Sequence, residues 1–430
     1  MESSTSANKK INNLICHASS GREDDSFVGL RIKGNDIYFY YPQAFSFDEN
    51  SSTIRDDILL ILKTISLAKT KNRDKAETYQ SRENECDFAL NSYLWIINDF
   101  LSNGFYINRE KTFKTNQNGR VNWKRTLKTN PMISNSNVIY KDIVVETKNN
   151  ADNLLVEIHR YCVKKSIDFI GWIFNLNSKF IQQMPFNDSI KKLYVSTLNK
   201  ELDKTFDDYK RLRLTHLKNV ILGLDANLDG KDFVYGVDSY HYVFESMINN
   251  IFGNIKNLSE FNPKAVWKLK KYSYKEIPSS ELRPDTILIK DNVAYIIDSK
   301  FYRFGITGNP NDLPETTSIQ KQITYGDFIK NNNLKDVKEI HNAFLIPFDK
   351  TKETFKTEDN LVYIGYSTST WRDGKNHHEI IHTFLIDLRH VTEFWNKHNH
   401  DDDIQALING IVDADNEIKN LASNWLFVAK

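Results

Sequence analysis

One stretch of the chain, 281–300, constrains the fold more than any other. Two runs rich in β-branched and aromatic residues, 286–290 and 293–297, are separated only by Asp291-Asn292. That pair tolerates positive φ angles and suits a two-residue hairpin turn. Position 290 then faces position 293, and every opposed pair of positions adds up to 583. The sequence therefore predicts an antiparallel strand pair whose register is fixed by its own turn.

Three charged residues meet at the open end of this predicted hairpin. Asp285 lies directly opposite Asp298, and Lys300 shares the face of Asp298 because side chains alternate along a strand. Opposed residues on antiparallel strands have Cβ atoms roughly 4.5–5.5 Å apart, and like charges at that spacing destabilise the pair. The two aspartates therefore need a compensating charge, and a divalent cation such as Mg²⁺ supplies it.

A cation held by two carboxylates beside a lysine suits metal-assisted phosphodiester hydrolysis. In that chemistry Lys300 would orient the attacking water or help to deprotonate it. The alternative is an ordinary surface hairpin with charges at its end, since isolated Asp-x-Lys triplets are common. The order of Pro284-Asp285, an apolar hairpin and Asp298-Ser299-Lys300 favours the nuclease interpretation.

The same residues carry a family resemblance. Pro284-Asp285 followed by Asp298-Ser299-Lys300 resembles the signature of the PD-(D/E)XK nuclease superfamily. The separation of 13 residues between the two aspartates resembles that in McrC nuclease subunits of restriction systems. This resemblance implies that Asp285 and Asp298 are metal ligands and that Lys300 is the catalytic lysine. It also implies Mg²⁺ as the cofactor, with Mn²⁺ as a substitute.

The most basic segment of the chain is 109–128. It holds seven Lys or Arg residues and one acidic residue, a local net charge of +6, with Trp123 among the cations. The run Asn116-Gln117-Asn118-Gly119 is predicted to be the turn of a second hairpin. A solvated hairpin with a structural tryptophan is one interpretation. The other is a patch that grips DNA phosphates through the cations Arg120, Lys124 and Arg125.

A second resemblance lies in this basic segment, roughly 160 residues before the first. The octapeptide at 119–126, Gly-Arg-Val-Asn-Trp-Lys-Arg-Thr, resembles a recurrent segment of the LlaJI family of restriction endonucleases. That family pairs an McrC-like nuclease with an McrB-like AAA+ GTPase. The resemblance therefore implies double-stranded DNA as the substrate and such a GTPase as a partner. The sequence has no Gly-x-x-x-x-Gly-Lys-Ser/Thr loop, so any nucleotide hydrolysis would belong to another chain.

A further carboxylate is predicted on the helix that precedes the hairpin. Asp238 or Ser239 can cap a helix that carries Glu245. In PD-(D/E)XK nucleases the helix before the sheet often supplies an additional carboxylate, and the resemblance implies this role for Glu245. An exposed helical glutamate is the alternative.

Additional nucleic-acid contacts are predicted on both sides of the hairpin. The run 265–274 is interpreted as a basic, aromatic strand beside the hairpin, where its lysines would guide a DNA backbone. After the hairpin, Pro314-Glu315 is predicted to open a helix that resembles the glutamine-bearing helix of the RecB-like branch of the superfamily. Core packing explains the tyrosine of this helix equally well. The residues concerned are Lys268, Lys270, Lys271, Gln322 and Tyr325.

The expected architecture is α/β and has three parts. An α+β amino-terminal region with the basic hairpin is predicted over 1–149, and a helical connector over 150–225. A PD-(D/E)XK nuclease domain with a mixed central sheet is predicted over 226–430, and the turn-rich run 226–230 is taken as its boundary. The part before this boundary is expected to contact the GTPase, and its basic hairpin the GTPase or DNA. Residues 1–25 are expected to be disordered or loosely held.

Composition limits the other inferences. With 57 Lys and Arg against 56 Asp and Glu, the net charge of +1 cannot itself argue for a nucleic-acid partner. Three widely spaced cysteines favour a reducing cytoplasm and argue against a structural zinc site. The polar start and the lack of an apolar run near ~20 residues favour a cytoplasmic protein without a membrane span. His159 has no partner at ligand spacing and is predicted to lie on the surface.

Taken together, these patterns indicate the McrC-like nuclease subunit of a LlaJI-type restriction system, a Mg²⁺-dependent deoxyribonuclease. A stand-alone PD-(D/E)XK nuclease in repair or phage defence is one alternative. A non-catalytic DNA-binding or assembly module is another. An inactive relative would be expected to have lost Asp285, Asp298 or Lys300, and all three are present.

Overall fold

The computed structural model describes ten stretches of the chain, namely 14–20, 26–33, 36–48, 53–71, 87–106, 110–134, 137–149, 154–223, 233–372 and 376–428. Their strands, in chain order, are β1 Leu14–Ser19, β2 Val28–Lys33, β3 Asp36–Pro42, β4 Glu110–Thr115, β5 Arg120–Val121, β6 Pro131–Ser134, β7 Asn137–Tyr140, β8 Val144–Asn149, β9 Phe233–Val237, β10 Lys264–Lys268, β11 Glu276–Glu281, β12 Thr286–Lys290, β13 Val293–Ser299, β14 Glu339–Phe348, β15 Leu361–Ser367 and β16 Ile381–Asp387.

The α-helices, in chain order, are α1 Ile54–Lys71, α2 Asp87–Asn103, α3 Trp123–Thr126, α4 Leu154–Ile170, α5 Asp188–Lys204, α6 Asp208–Gly223, α7 Tyr240–Phe252, α8 Phe304–Thr307, α9 Thr316–Asn331, α10 Leu388–Phe394 and α11 Asp401–Val428. No helix in the described stretches is long and apolar enough to cross a bilayer.

The chain forms two compact units, one made of Met1–Asn84 with Asp232–Lys430 and the other of Glu85–Lys231. The sequence-based division of the chain after residues 149 and 225 separates parts with different expected roles, and it stays a prediction. The turn-rich run 226–230 lies outside the described residues. The grouping of the first unit means that the amino-terminal strands belong with the predicted nuclease domain.

The first unit contains a four-stranded sheet that joins its two chain segments. The strand order is β1-β3-β2-β9, with β1 parallel to β3 and β2 antiparallel to both β3 and β9. The expectation of a disordered lead is therefore wrong for residues 14–19, which form β1. Gly29 pairs with Gly236 in this sheet, and a Cβ atom on Gly236 would lie 2.3 Å from the Val28 carbonyl oxygen. The close approach of β2 and β9 therefore requires glycine at position 236.

The central sheet of the first unit is five-stranded and mixed, as predicted. Its order is β12-β13-β14-β16-β15, with parallel pairing between β13, β14 and β16 and antiparallel edges. Helix α9 packs on one face, where Tyr325 and Ile329 join a core with Ile287, Ala294 and Ile296. Strands β14 and β16 are buried almost continuously, as expected for a sheet covered by helices.

A bidentate ion pair ties the amino-terminal helix α1 to α10 within this unit. Arg389 donates from Nη1 to Asp57 Oδ1 at 2.9 Å and from Nη2 to Asp57 Oδ2 at 2.7 Å. Its Nε also donates to Ser46 Oγ at 2.7 Å, and its guanidinium lies 4.6 Å from the Phe45 ring centroid. Asp57 is only 4% exposed, so this arginine compensates a buried carboxylate.

The second unit contains four long helices, α2, α4, α5 and α6, that pack on one another. The last part of the predicted helical connector forms two helices, α5 and α6. The predicted surface position of His159 is wrong, because this side chain is 1% exposed. Its Nε2 lies 3.8 Å from Asp99 Oδ2, and Arg213 Nε donates to the same oxygen at 2.8 Å. Burial lowers the pKa of His159 and outweighs the Asp99 carboxylate, so the ring is held neutral.

The predicted basic hairpin has a different topology from the one expected. Strands β4 and β5 do not pair with each other; β8 lies between them in the order β4-β8-β5. Phe113 of β4 and Arg120 of β5 therefore both lie opposite Glu146. The Ile143 N–H donates to the side-chain oxygen of Asn116 at 2.9 Å, and Asn116 has a φ of 57°. The turn at 116–119 is thus bonded to Ile143, the residue just before β8. The turn residues alone could not indicate that a strand from farther along the chain lies between β4 and β5.

The ion pair between α1 and α10 yields a stability prediction. Arg389→Ala should lower the free energy of unfolding by roughly 2–4 kcal/mol, because it leaves the buried Asp57 carboxylate without its partner. The control is Lys356→Ala, which removes an exposed pair with Glu353 at 2.9 Å and should cost less than about 1 kcal/mol. Urea unfolding followed by circular dichroism measures both. Equal decreases in the two variants would contradict a stabilising role for the Arg389–Asp57 pair.

Candidate active site

The hairpin at the edge of the central sheet has the predicted register. Thr286 pairs with Ile297 and Lys290 with Val293, so opposed positions add up to 583. The turn residues Asp291 and Asn292 have φ angles of 53° and 63°. The predicted register is therefore confirmed, and its continuation by one residue brings position 285 opposite position 298.

The three charged residues predicted from the hairpin come together at its open end. Lys300 Nζ lies 2.7 Å from Asp298 Oδ2, and Asp298 is 7% exposed. The Ser299 backbone N–H donates to Asp285 Oδ2 at 3.0 Å, which fixes the second carboxylate across the hairpin. Both carboxylates and the ammonium are thus held at the ends of two strands.

Burial and charge act in opposite senses on this group. Burial raises the pKa of Asp285 well above its usual value, and Asp298 and the charge of Glu245 raise it further, whereas Lys300 opposes the shift. Burial alone would lower the pKa of Lys300, but its ion pair with Asp298, together with the charges of Asp285 and Tyr302, outweighs burial and raises that pKa. Lys300 is therefore protonated and compensates Asp298. Asp285 is left as the carboxylate whose ionisation is disfavoured.

This donor set fits a hard divalent cation. Asp285, Asp298 and Glu245 offer only carboxylate oxygens, which are the ligands that Mg²⁺ prefers. The raised pKa of Asp285 reflects burial together with a local excess of negative charge, which a bound cation would relieve. The predicted location of Glu245 on α7 agrees with its electrostatic effect on Asp285.

A cavity of about 340 Å³ adjoins the charged group and is walled by three parts of the first unit. Helix α7 contributes His241 and Glu245, and the segment after β13 contributes Lys300. Ser19 of β1 and Ser26, which precedes β2, also line it. This contribution from the amino-terminal strands was missed, because no local pattern in the sequence indicates that β2 pairs with β9.

Helix α9 supports the site from inside the domain. Tyr325 Oη donates to the Arg283 carbonyl oxygen at 2.9 Å, which fixes the chain just before Pro284-Asp285. Burial raises the pKa of Tyr325, and the charges of Asp298 and Asp285 add to the shift. Gln322 is 0% exposed. This burial favours core packing for both residues over direct contact with nucleic acid.

The predicted basic strand at 265–274 differs from expectation. Strand β10 ends at Lys268 and pairs with β11 in a separate two-stranded sheet. Residues Lys270–Tyr272 form a turn of 3₁₀-helix, and left-handed backbone at Ser273 and Tyr274 prevents the strand from continuing. The alternation of aromatic residues with lysines predicted a single strand. That pattern carries no signal for the reversal of the backbone at Ser273 and Tyr274.

The lysines of this segment face solvent. The side chains of Lys268, Lys270 and Lys271 are all exposed. Strand β11 leads directly into the segment 282–285, so this basic surface is adjacent in sequence to the site. Its contact with a DNA backbone stays a prediction.

The cations predicted in the second unit also face solvent. Arg120, Lys124 and Arg125 are exposed, and the Arg125 guanidinium lies 3.7 Å from the Phe113 ring centroid. Asn122 caps the short helix α3 by accepting a hydrogen bond from Arg125 N at 3.1 Å. Trp123 is 62% exposed, so a structural role in a core does not explain it. Contact of these residues with DNA stays a prediction.

Comparisons with known proteins show the family. The family model described as LlaJI restriction endonuclease matches residues 27–366, a span that includes the hairpin and Glu245. Among solved structures, the chain is similar to the half-complex from the tetradecameric assembly of Thermococcus gammatolerans McrB AAA+ hexamers with bound McrC. That match has 14% identity and a TM-score of 0.40, and it covers 90% of this chain and 83% of the other. A comparison with curated proteins finds no match.

The charge imbalance at Asp285 yields a prediction for the metal-free protein. A raised folded-state pKa contributes stability below the unfolded value near ~3.9, and this stability is lost as pH rises through the folded value. At neutral pH in EDTA, Asp285→Asn should therefore raise the thermal midpoint by about 2–4 °C, the shift expected for relief of ~1 kcal/mol of cross-strand repulsion. The difference should vanish near pH ~4, where the wild-type carboxyl is protonated in the folded state.

The measurement is differential scanning fluorimetry with and without divalent cation. Mg²⁺ or Mn²⁺ should raise the midpoint of the wild type more than that of Asp285→Asn. Asp291→Asn, which changes an exposed aspartate in the turn of the same hairpin, is the matched control and should behave as the wild type. A lower midpoint for Asp285→Asn at neutral pH would contradict the assigned repulsion.

Proposed function

The chain belongs to the LlaJI restriction endonuclease family, and from that premise we propose that it is the metal-dependent DNA-cleaving subunit of a restriction system, built on a PD-(D/E)XK nuclease domain. The observation that carries this proposal is the convergence of Asp285, Asp298 and Lys300 at the end of one hairpin. The substrate is double-stranded DNA, and the scissile phosphate would enter the cavity beside Lys300.

The metal ligands in this proposal are Asp285 and Asp298, with Glu245 as a further carboxylate. Mg²⁺, or Mn²⁺ in its place, supplies Lewis-acid activation of the phosphate and of the attacking water. The Ser299 N–H orients Asp285, and Tyr325 holds the backbone that leads into Asp285. These contacts preorganise the carboxylates, so that they need not move when the substrate binds.

Lys300 acts in this proposal as a fixed positive charge. Its side chain is 18% exposed and lines the cavity, while Asp298 holds its ammonium at 2.7 Å. The ion pair raises the pKa of Lys300, so the protonated form is favoured. A protonated lysine orients water and stabilises negative charge on the transition-state phosphate, and it is poorly suited to accept a proton.

The partner is proposed to be an McrB-like AAA+ GTPase, as the family resemblance implies. An apolar surface in the second unit supports a protein partner there. The hairpin of β6 and β7 places Met132 opposite Ile139 and Ile133 opposite Val138. These four side chains are between 47% and 75% exposed, so the described parts of the chain leave both faces of the hairpin open. Contiguous exposed apolar side chains are typical of interaction sites.

A cytoplasmic location is part of this proposal. Among the described residues, neither Cys16 nor Cys162 is part of a disulfide, and Cys162 is buried. Free buried cysteines suit a reducing compartment, where foreign DNA would also be met.

The role of Lys300 yields a prediction for catalysis. Lys300→Ala should bind duplex DNA nearly as the wild type does in Ca²⁺, but its single-turnover cleavage in Mg²⁺ should fall by roughly 10²–10³-fold, because the removed charge acts mainly in the transition state. Lys290→Ala is the matched control, since Lys290 lies at the turn end of the same hairpin and donates to Gln405 at 3.1 Å. Cleavage by Lys300→Ala at the control rate would refute the site assignment.

The two surfaces of the second unit yield a paired prediction. Arg120→Ala with Lys124→Ala should weaken DNA binding and flatten its salt dependence by about two units, since each phosphate contact accounts for roughly 0.9 of the slope. Ile133→Ser with Val138→Ser should leave the salt dependence unchanged but weaken binding of the GTPase subunit by about tenfold or more.

Both double variants serve as controls for each other in the full-length protein. Fluorescence anisotropy on duplex DNA across salt concentrations measures the first property, and analytical ultracentrifugation with the GTPase measures the second. If the arginine and lysine variant instead fails to bind the GTPase and keeps its salt slope, the basic surface faces the partner and has no role in DNA binding.

A further inference from the structure

A second cluster of ionisable side chains lies at the other end of the central sheet. Glu339 begins β14 and pairs with Val293, the first residue of β13, whereas Asp298 lies near the end of β13. Five residues of strand separate the two ends, which is about 16 Å. His341 pairs with Tyr295 and therefore lies on the opposite face of the sheet from Asp298. The cluster is thus separate from the candidate active site in both position and face.

The cluster joins residues from three elements that are distant in sequence. Glu339 and His341 come from β14, His377 from the 3₁₀ turn His377–Glu379, and Asp415 from α11. One ligand atom from each of these four residues lies within 4.8 Å of the others. His341 and Asp415 are buried, and His377 is about one-third exposed.

Each of the two histidines lies between the two carboxylates, with Nε2 toward Glu339 and Nδ1 toward Asp415. Glu339 Oε1 lies 3.1 Å from His341 Nε2 and 3.5 Å from His377 Nε2. Asp415 Oδ2 lies 2.9 Å from His377 Nδ1 and 3.5 Å from His341 Nδ1. A tetrahedral zinc shell with bonds of about 2.0–2.1 Å has neighbouring ligand atoms about 3.3–3.4 Å apart. One ligand atom from each residue lies within 4.8 Å of the others, so the side chains would have to draw together to reach this spacing around an ion.

Buried nitrogen atoms in the cluster lack hydrogen-bond partners among the described residues. His341 Nδ1 has none, although the side chain is 4% exposed. The neighbouring His382, on β16, is 0% exposed, and both of its ring nitrogens also lack a hydrogen-bond partner among the described residues. Its Nε2 lies 3.2 Å from Asp415 Oδ1 but outside hydrogen-bond geometry. A buried polar atom without a partner requires an explanation, and an ion is one of the few available.

We propose that Glu339, His341, His377 and Asp415 bind a single zinc ion that fastens α11 and the 377–379 turn to the central sheet. Two imidazoles and two carboxylates form a nitrogen and oxygen set that suits zinc, and four protein ligands make a closed structural site. His382 Nε2 lies 3.2 Å from the second oxygen of Asp415, beside this ligand. The cysteine spacing argues against a cysteine-based zinc site, but this set contains no cysteine.

A hydrogen-bonded network without metal explains the cluster less completely. It accounts for the contact of His377 with Asp415 at 2.9 Å. Within the described part of the chain, it leaves the buried His341 Nδ1 without a hydrogen bond. It also places oxygen atoms of the Glu339 and Asp415 carboxylates within 4.8 Å of each other. A divalent ion satisfies both the charge and the orphaned nitrogen of His341.

The test is the zinc content and zinc response of the full-length protein. Protein made in zinc-supplemented medium and purified without chelator should hold about one zinc ion per chain by plasma mass spectrometry, as a four-ligand site requires. His377→Ala and Asp415→Asn should each hold less than about 0.1. After chelation, zinc at about 100 times its dissociation constant should raise the thermal midpoint of the wild type by about 5–10 °C. The same addition should not raise the midpoint of His377→Ala.

Two controls separate this site from other features. His390→Ala removes a histidine that contacts Asp403 at 2.8 Å outside the cluster, and it should keep its zinc. Asp298→Asn should also keep its zinc, so failure of the nuclease proposal would leave this result unchanged. His377 lies in a partly exposed turn, and circular dichroism of His377→Ala checks that the variant folds. Wild-type protein that holds less than about 0.1 zinc and gains no stability from added zinc would overturn the proposal.

Discussion

The repulsion between Asp285 and Asp298 is the constraint around which the first unit is arranged. A two-residue turn fixes the register, and the register places both carboxylates at the same level of one hairpin. Such an arrangement destabilises an isolated hairpin. It persists here because the Lys300 ammonium compensates Asp298 and the Ser299 N–H fixes the position of Asp285, whose ionisation stays disfavoured. The hairpin is also the edge of a five-stranded sheet, so its geometry does not depend on its own stability.

Long-range pairing completes the surroundings of this hairpin. Strand β2 pairs with β9, and Arg389 of α10 bonds to Asp57 of α1. Residues near the start of the chain therefore belong to the same unit as the central sheet. One consequence is that Ser19 and Ser26 line the cavity beside Lys300. The amino-terminal strands therefore belong to the surroundings of the site. Changes in this region can alter access to the cavity without touching the carboxylates.

Local chemistry determines those parts of the molecule that could be predicted from the sequence. The hairpin register followed from Asp291-Asn292, which take the positive φ angles of 53° and 63° that the predicted turn requires. The insertion of β8 between β4 and β5 could not be predicted, because a turn signal does not exclude a third strand from elsewhere. The burial of His159 depends on its contact with Asp99, a residue in another helix. In both of these failures the deciding partner is distant in the sequence.

The two polar ends of the central sheet differ in the chemistry of their donor atoms. The hairpin end offers carboxylate oxygens beside a protonated lysine, a set that suits a hard ion with a hydrated shell such as Mg²⁺. The opposite end offers imidazole nitrogens from His341 and His377, which favour zinc over Mg²⁺. The lysine further disfavours a closed zinc shell at the hairpin, because a protonated ammonium cannot serve as a ligand. Donor type alone would therefore direct different ions to the two ends of one sheet, and a structural ion at one end would not compete with a catalytic ion at the other.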